Sequence, residues 1–202
     1  FTHSRQTSGH TTQLEQALQD MAESAVTIRV PEAEHCVGSL RERFDASARL
    51  GVPAHITVLF PFMPPERITD AVLRRAQAVF DGMPSFPFTL SRIARFPAVT
   101  YLAPEPAEPF IALTQKLAQR FPEYPPFRGE HEAIIPHLTA AHGSPTETDL
   151  AERELAAAMQ AHGPIHGNCR AITLLENSSG RWREMHAFVL PDVALGPGLR
   201  RP

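Results

Sequence analysis

Two short segments of this chain carry the same pair of reactive side chains at the same spacing. Pro53-Ala54-His55-Ile56-Thr57-Val58-Leu59-Phe60 and Pro136-His137-Leu138-Thr139-Ala140-Ala141-His142 each place a histidine two residues before a threonine, in an apolar run entered just after a proline. Successive side chains of a β-strand point to opposite faces, so His55 and Thr57 share one face while Ile56 and Val58 turn toward a core. His137 and Thr139 repeat the pattern. An imidazole titrates near pH 6.5 and can give or take a proton near neutrality. Two imidazoles and two hydroxyls, brought together by two related strands, would form an acid–base site that needs no metal.

A His-x-Thr/Ser triplet is a weak signal alone, because such motifs arise by coincidence. His10-Thr11-Thr12 lies in a polar N-terminal stretch and His142-Gly143-Ser144 lies in a turn, and both read as coincidental. The triplets at 55 and 137 differ from these in sitting in apolar strands, after prolines, at matching places in the two halves of the chain.

The surrounding elements must bring those strands together. Twenty prolines punctuate the chain. Alternation predicts a strand over 25–30, and Pro31-Glu32-Ala33-Glu34 opens a helix to 44 with acids at its positive end. Residues 45–53 read as a loop, 55–60 as the first motif strand and 68–80 as a helix. Residues 86–96 and 98–103 read as a hairpin. The order then returns: a helix over 109–121, a proline-rich loop to 130, the second motif strand within 133–141, and an alanine-rich helix over 146–161. Thr146 or Thr148 is a plausible cap for that last helix and Gly163-Pro164 its stop. Strands at 165–176 and 182–190 form a closing hairpin. A short helix over 12–23 precedes all of this. The repeat is far longer than that of a solenoid and suggests two lobes related by a pseudo-twofold axis, with the motif strands side by side and the site in the cleft between them. Residues 1–24 are expected to be flexible, 25–192 to form one bilobal α+β domain, and 193–202 to form a flexible tail.

Composition narrows the function. The 202 residues are 43% hydrophobic with a net charge of −3, unlike a protein held on a DNA duplex or long nucleic acid by bulk charge. Two cysteines, Cys36 and Cys169, make neither a metal pattern nor a disulfide scaffold. No segment approaches the roughly 20 apolar residues of a membrane span, and no signal-peptide core is visible, so a cytoplasmic monomer is expected.

The chain resembles the two-histidine (2H) phosphoesterase superfamily, defined by two His-x-Thr/Ser motifs about eighty residues apart, and in particular its 2′-5′ RNA ligase branch. The likeness rests on Gly51-Val52-Pro53-Ala54-His55-Ile56-Thr57-Val58-Leu59-Phe60-Pro61-Phe62, on Val30-Pro31-Glu32-Ala33-Glu34, on Tyr101-Leu102-Ala103-Pro104 and on Pro136-His137-Leu138-Thr139. It covers most of 25–190. The resemblance implies a bilobal α+β fold whose four motif side chains face a central groove. It also implies chemistry on a 2′,3′-cyclic phosphate or a 2′-5′ linkage, without cofactor or metal, on a small nucleotide or an RNA end. Pro61 and the weakly acidic balance depart from the RNA-end enzymes of the superfamily. One of His55 and His137 would act as base and the other as acid, with Thr57 and Thr139 holding the non-bridging phosphate oxygens. An RNA 2′-5′ ligase and a non-catalytic module that binds a nucleotide or RNA end are the alternatives.

Other candidates weigh less. His137 and His142 fall on opposite strand faces, with no third ligand for zinc. His131 and Glu132 could line the cleft, although a solvated loop is the simpler reading. Tyr124, Phe127 and Arg128 could stack a base and hold a phosphate, or merely pack their loop on the lobe. Arg41, Arg43 and Arg49 read as helix-surface charges, and Arg181-Trp182-Arg183 as strand-edge residues.

Overall fold

In the computed structural model of the chain, which describes residues 22–130 and 133–192, the strands form two four-stranded antiparallel sheets. Strand β1 (Ser24–Arg29) is followed by helices α1 (Glu34–Phe44) and α2 (Ala46–Arg49) and by β2 (His55–Leu59). Helix α3 (Asp70–Phe80) leads to β3 (Phe86–Phe96) and β4 (Val99–Glu105), and α4 (Glu108–Arg120) leads to β5 (Leu138–His142). Helix α5 (Pro145–His162) leads to β6 (Ile165–Cys169), β7 (Ala171–Glu176) and β8 (Arg183–Val189). The first sheet runs β2-β1-β7-β8 and the second β5-β4-β3-β6, so each motif strand is the edge of its own sheet. This is the bilobal α+β architecture that the sequence pattern suggests. The expected helix over 12–23 and the expected tail over 193–202 lie outside the described residues, apart from Ala22 and Glu23.

The sequence accounts for most of these elements. Val26 and Ile28 are buried from β1, as are Ile56 and Val58 from β2, while His55 and Thr57 stay half-open on the other face. Ser144 caps α5 reciprocally with Glu147, Pro145 fills the first helical position, and Gly163 (φ 78°) ends the helix in the left-handed region open to glycine. The cap is therefore Ser144 rather than Thr146 or Thr148. Thr148 instead turns inward, its hydroxyl donating to the Ser144 and Pro145 carbonyls.

Three further expectations need correction. The loop over 45–53 contains α2, because Asp45 accepts the Ser47 N–H and so caps a helical turn. The second motif strand begins only at Leu138, which pairs with Leu102, so His137 stands just before the ladder. Pro136 has no N–H to offer a sheet, which keeps the preceding residues out of it. Residues 165–176 are not one strand: β6 pairs with β3 in the second sheet and β7 with β1 in the first, the chain crossing between lobes at Arg170. The closing hairpin is β7–β8 alone.

The lobes are joined by an exchange of helices. Helix α1 connects the two strands β1 and β2 of the first sheet yet packs against β5 of the second, and α4 connects β4 to β5 yet packs against β2. Phe62, just beyond β2, meets Phe121, at the end of α4, edge to face at 5.1 Å. One continuous core runs through both lobes and buries Leu40, Ile56, Leu102, Leu117, Phe121 and Leu138 completely or nearly so. Burial of this kind contributes about 1.5–3 kcal/mol per large apolar side chain. It also fixes how the two motif strands face each other.

Candidate active site

The register of β1 and β2 sets Thr57 opposite Thr27 and His55 opposite Arg29. Directly paired residues of an antiparallel sheet project from the same face, so these four side chains share the face turned away from the core. The entry to β2 is pinned on both sides of Ala54. Its N–H donates to the Glu34 carboxylate at 2.7 Å, and its carbonyl accepts the Val30 N–H at 2.8 Å. One residue on, the His55 Nδ1–H donates to the Pro53 carbonyl at 2.8 Å.

The second motif repeats this arrangement. The His137 Nδ1–H donates to the Ile135 carbonyl at 2.7 Å, again two residues back. Thr139 lies opposite Tyr101 in the β4–β5 ladder. The His137 ring stands edge-on to Phe96 at 5.1 Å and 5.3 Å from Tyr101, and those two aromatics stack at 4.4 Å. A carbonyl oxygen can only accept, so each Nδ1 carries the proton and each neutral ring keeps its lone pair on Nε2. Neither Thr57 nor Thr139 spends its hydroxyl on another described residue.

The strands that carry the two motifs, β2 and β5, lie against each other, and His55 senses the charge of His137. Burial pushes the His55 imidazole down to about 4. Its hydrogen bond to Pro53 opposes this, Arg41 and His137 lower it further, and Asp45 partly restores it. His137 is also lowered by burial, opposed by its bond to Ile135. Both rings are therefore neutral at pH 7, and a bound anion would favour the protonated form of either.

Beside His55 lies a cavity of about 150 Å³ lined by Ala25, Thr27, Ser47, Val52, His55, Thr57, Phe60, Leu175 and Trp182. Trp182 is thus not the strand-edge residue that its charged neighbours suggested. Its N–H donates to the Leu50 carbonyl at 2.9 Å, and its ring meets Phe60 at 6.1 Å. Gly51 (φ 102°) allows this approach, since a Cβ there would lie 3.0 Å from the Trp182 carbonyl. Arg41 is also misread as a surface charge. It is buried and pairs with buried Asp45 at 3.0 Å, and Asp45 in turn accepts the Ser47 hydroxyl at 2.7 Å. The signal was in the spacing, because Val37, Leu40 and Arg41 follow the i, i+3, i+4 rhythm of a buried helix face.

The remaining candidates fall elsewhere. Tyr124 packs on Phe62, Arg128 pairs with Glu23, and the Phe127 N–H donates to the Phe60 carbonyl. Arg43 pairs with Glu154, and Arg49 donates to the Glu42 and Arg43 carbonyls. His131 and Glu132 lie outside the described residues. Cys36 and Cys169 are buried free thiols, the latter pushed up to about 12 by burial. Among the described residues, no group of three His, Cys, Asp or Glu is placed to hold a metal ion, and no helix is long and apolar enough to cross a membrane.

Solved structures share this fold. TT0787 of Thermus thermophilus aligns with a TM-score of 0.53 at 17% identity, over 84% of this chain and 98% of that one. LigT of E. coli complexed with 3′-AMP aligns at 0.52 and 17%, over 85% and 99%, and the same protein complexed with NADP+ at 0.51 and 17%, over 85% and 99%. No curated protein matches the chain by sequence. The family model of the 2′-5′ RNA ligase superfamily, however, matches residues 28–181, a span that holds both histidine motifs and Trp182's immediate neighbour Arg181. With a match over three-quarters of its length, the chain belongs to the 2′-5′ RNA ligase superfamily, the two-histidine phosphoesterases.

Proposed function

We propose that this chain is a metal-independent phosphoesterase that opens a 2′,3′-cyclic phosphodiester, at an RNA end or in a small nucleotide, using His55 and His137 as an acid–base pair. The observation that supports this best is the matched pair itself: two imidazoles, each fixed through Nδ1 by the carbonyl two residues back and each keeping its lone pair on Nε2, on strands that lie against each other. One neutral imidazole takes a proton from water at Nε2 as the water oxygen bonds to phosphorus. The bond from phosphorus to one ribose oxygen breaks, and that oxygen takes the proton from Nε2 of the other, protonated imidazole. A phosphomonoester and a free neighbouring hydroxyl remain, and exchange with solvent resets the two rings. Thr57 and Thr139 donate to the non-bridging oxygens and hold the phosphorus in line. The phosphate anion that enters supplies the charge that lets one buried ring keep its proton.

The test is incubation with 2′,3′-cyclic nucleotides and with end-labelled RNA bearing a cyclic end, followed by phosphorus NMR and gel analysis, with and without chelator. A chelator-resistant phosphomonoester product supports the proposal. A joined strand would instead mean ligation, and saturable binding without conversion a binding module.

A further inference from the structure

We infer that the cavity beside His55 is a nucleobase site for a mononucleotide-sized substrate, and that Trp182 provides its stacking surface. The inference names the substrate class for the reading above and rests on it. The cavity shares His55 and Thr57 with the reacting centre, so its occupant must be tethered within a few bonds of the phosphate. Its apolar lining residues are Ala25, Val52, Phe60, Leu175 and Trp182. Planar aromatic surfaces take bases by their faces whatever the sequence. About 150 Å³ suits one ring system, since an apolar cavity of that size holds a benzene ring. Three arginines around the cavity carry acidic partners, Arg29 with Glu184, Arg41 with Asp45 and Arg183 with Glu176, and Arg181, which precedes Trp182, has none among the described residues.

The polar rim adds a preference. The Thr27 hydroxyl donates to the Thr173 carbonyl and the Ser47 hydroxyl to Asp45. Arg41 also points a weak contact at Ser47 at 3.4 Å. With the Thr57 hydroxyl given to the phosphate, the Thr27 and Ser47 hydroxyls have thus spent their hydrogens inside the protein and offer only lone pairs to a base. Such a rim suits an exocyclic amine and disfavours a carbonyl, and uracil brings one N3–H flanked by two carbonyl oxygens, so adenine and cytosine are favoured over it.

The chain has a single tryptophan, so the site carries its own reporter. Full-length protein is titrated with 3′-AMP, 3′-CMP, 3′-UMP and inorganic phosphate while indole fluorescence is followed. The expected result is saturable quenching by 3′-AMP and 3′-CMP, binding of 3′-UMP weaker by about tenfold, the worth of one hydrogen bond, and no quenching by phosphate. In steady-state hydrolysis of cyclic nucleotides, Trp182→Leu should raise KM about tenfold or more, with a smaller change in kcat, and Trp182→Phe should restore most of it. Circular dichroism shows whether either variant has unfolded. Ser47→Ala, which removes a rim acceptor while keeping the indole, should narrow the gap between adenine and uracil. Hydrolysis with equal KM for all bases in wild type and Trp182→Leu would overturn the base site and leave the catalytic proposal standing. Base-dependent quenching with no hydrolysis would uphold the site and overturn the catalytic proposal.

Discussion

The two motif strands carry the same chemistry in different company. His55 stands beside a cavity backed by a buried Arg41–Asp45 pair, and His137 stands against the stacked rings of Phe96 and Tyr101. What is shared is local: a histidine fixed by a carbonyl two residues back, and a threonine two residues on. What differs comes from the neighbouring strands, which pair Thr57 with Thr27 in one lobe and Thr139 with Tyr101 in the other. The difference teaches that one local arrangement can be set in unlike surroundings, a small recess on one side and an aromatic wall on the other.

The largest effects should come where the two sides are equivalent. His55→Ala and His137→Ala should each lower kcat/KM by about 10²–10⁴-fold, and the double variant should fall well short of the product, as expected of two groups acting as a unit. Near-normal turnover in either single variant would remove that ring from the chemistry and break the equivalence.

Next come effects on one side alone. Arg41→Met leaves Asp45 buried without its cation and should destabilise the fold by about 3 kcal/mol, read from the urea midpoint. On the opposite side, Phe96→Leu removes the edge contact to His137 and should cost about threefold to tenfold in kcat with little change in stability.

The pH dependence sharpens the comparison further. The reaction needs one neutral and one protonated ring, and burial lowers both, so the alkaline limb of kcat/KM should begin below pH 6.5. The limb in kcat should lie higher, because bound phosphate favours the imidazolium. Stability follows the same sign. Below about 6.5 an unfolded His55 takes up a proton that the folded ring refuses until about 4, so the urea midpoint should fall as pH drops through that window and be insensitive to this ring above it. His55→Asn should flatten that slope.

The smallest effect is expected at Glu34, whose carboxylate holds the Ala54 N–H ahead of the first motif. Glu34→Gln keeps an acceptor and should lower kcat by less than about fivefold, since a neutral bond replaces a charge-assisted one.

Much of this was written in local patterns. Alternation at Ile56 and Val58 announced which way His55 and Thr57 face, and the prolines placed most element ends within a residue or two. The missing parts were non-local. Nothing in Ile165–Glu176 marks Arg170 as a crossing between lobes, because both flanking runs pair well and only their partners, β3 and β1, distinguish them. Trp182 sits in a turn between two arginines, where composition argues for exposure; the backbone bond to Leu50 that turns it toward His55 joins residues far apart in sequence. Ser144 and Arg41 belong to a different class of miss, since the capping-box spacing to Glu147 and the helical rhythm with Val37 and Leu40 were both present to be read.

The exchange of α1 and α4 between lobes has a mechanical outcome. Spreading the jaws would strip α1 from β5 and α4 from β2 and expose Leu40 and Leu117, so no low-energy hinge separates the two halves. Binding would then proceed without opening the lobes, and scattering profiles of the protein alone and with 3′-AMP added should superimpose.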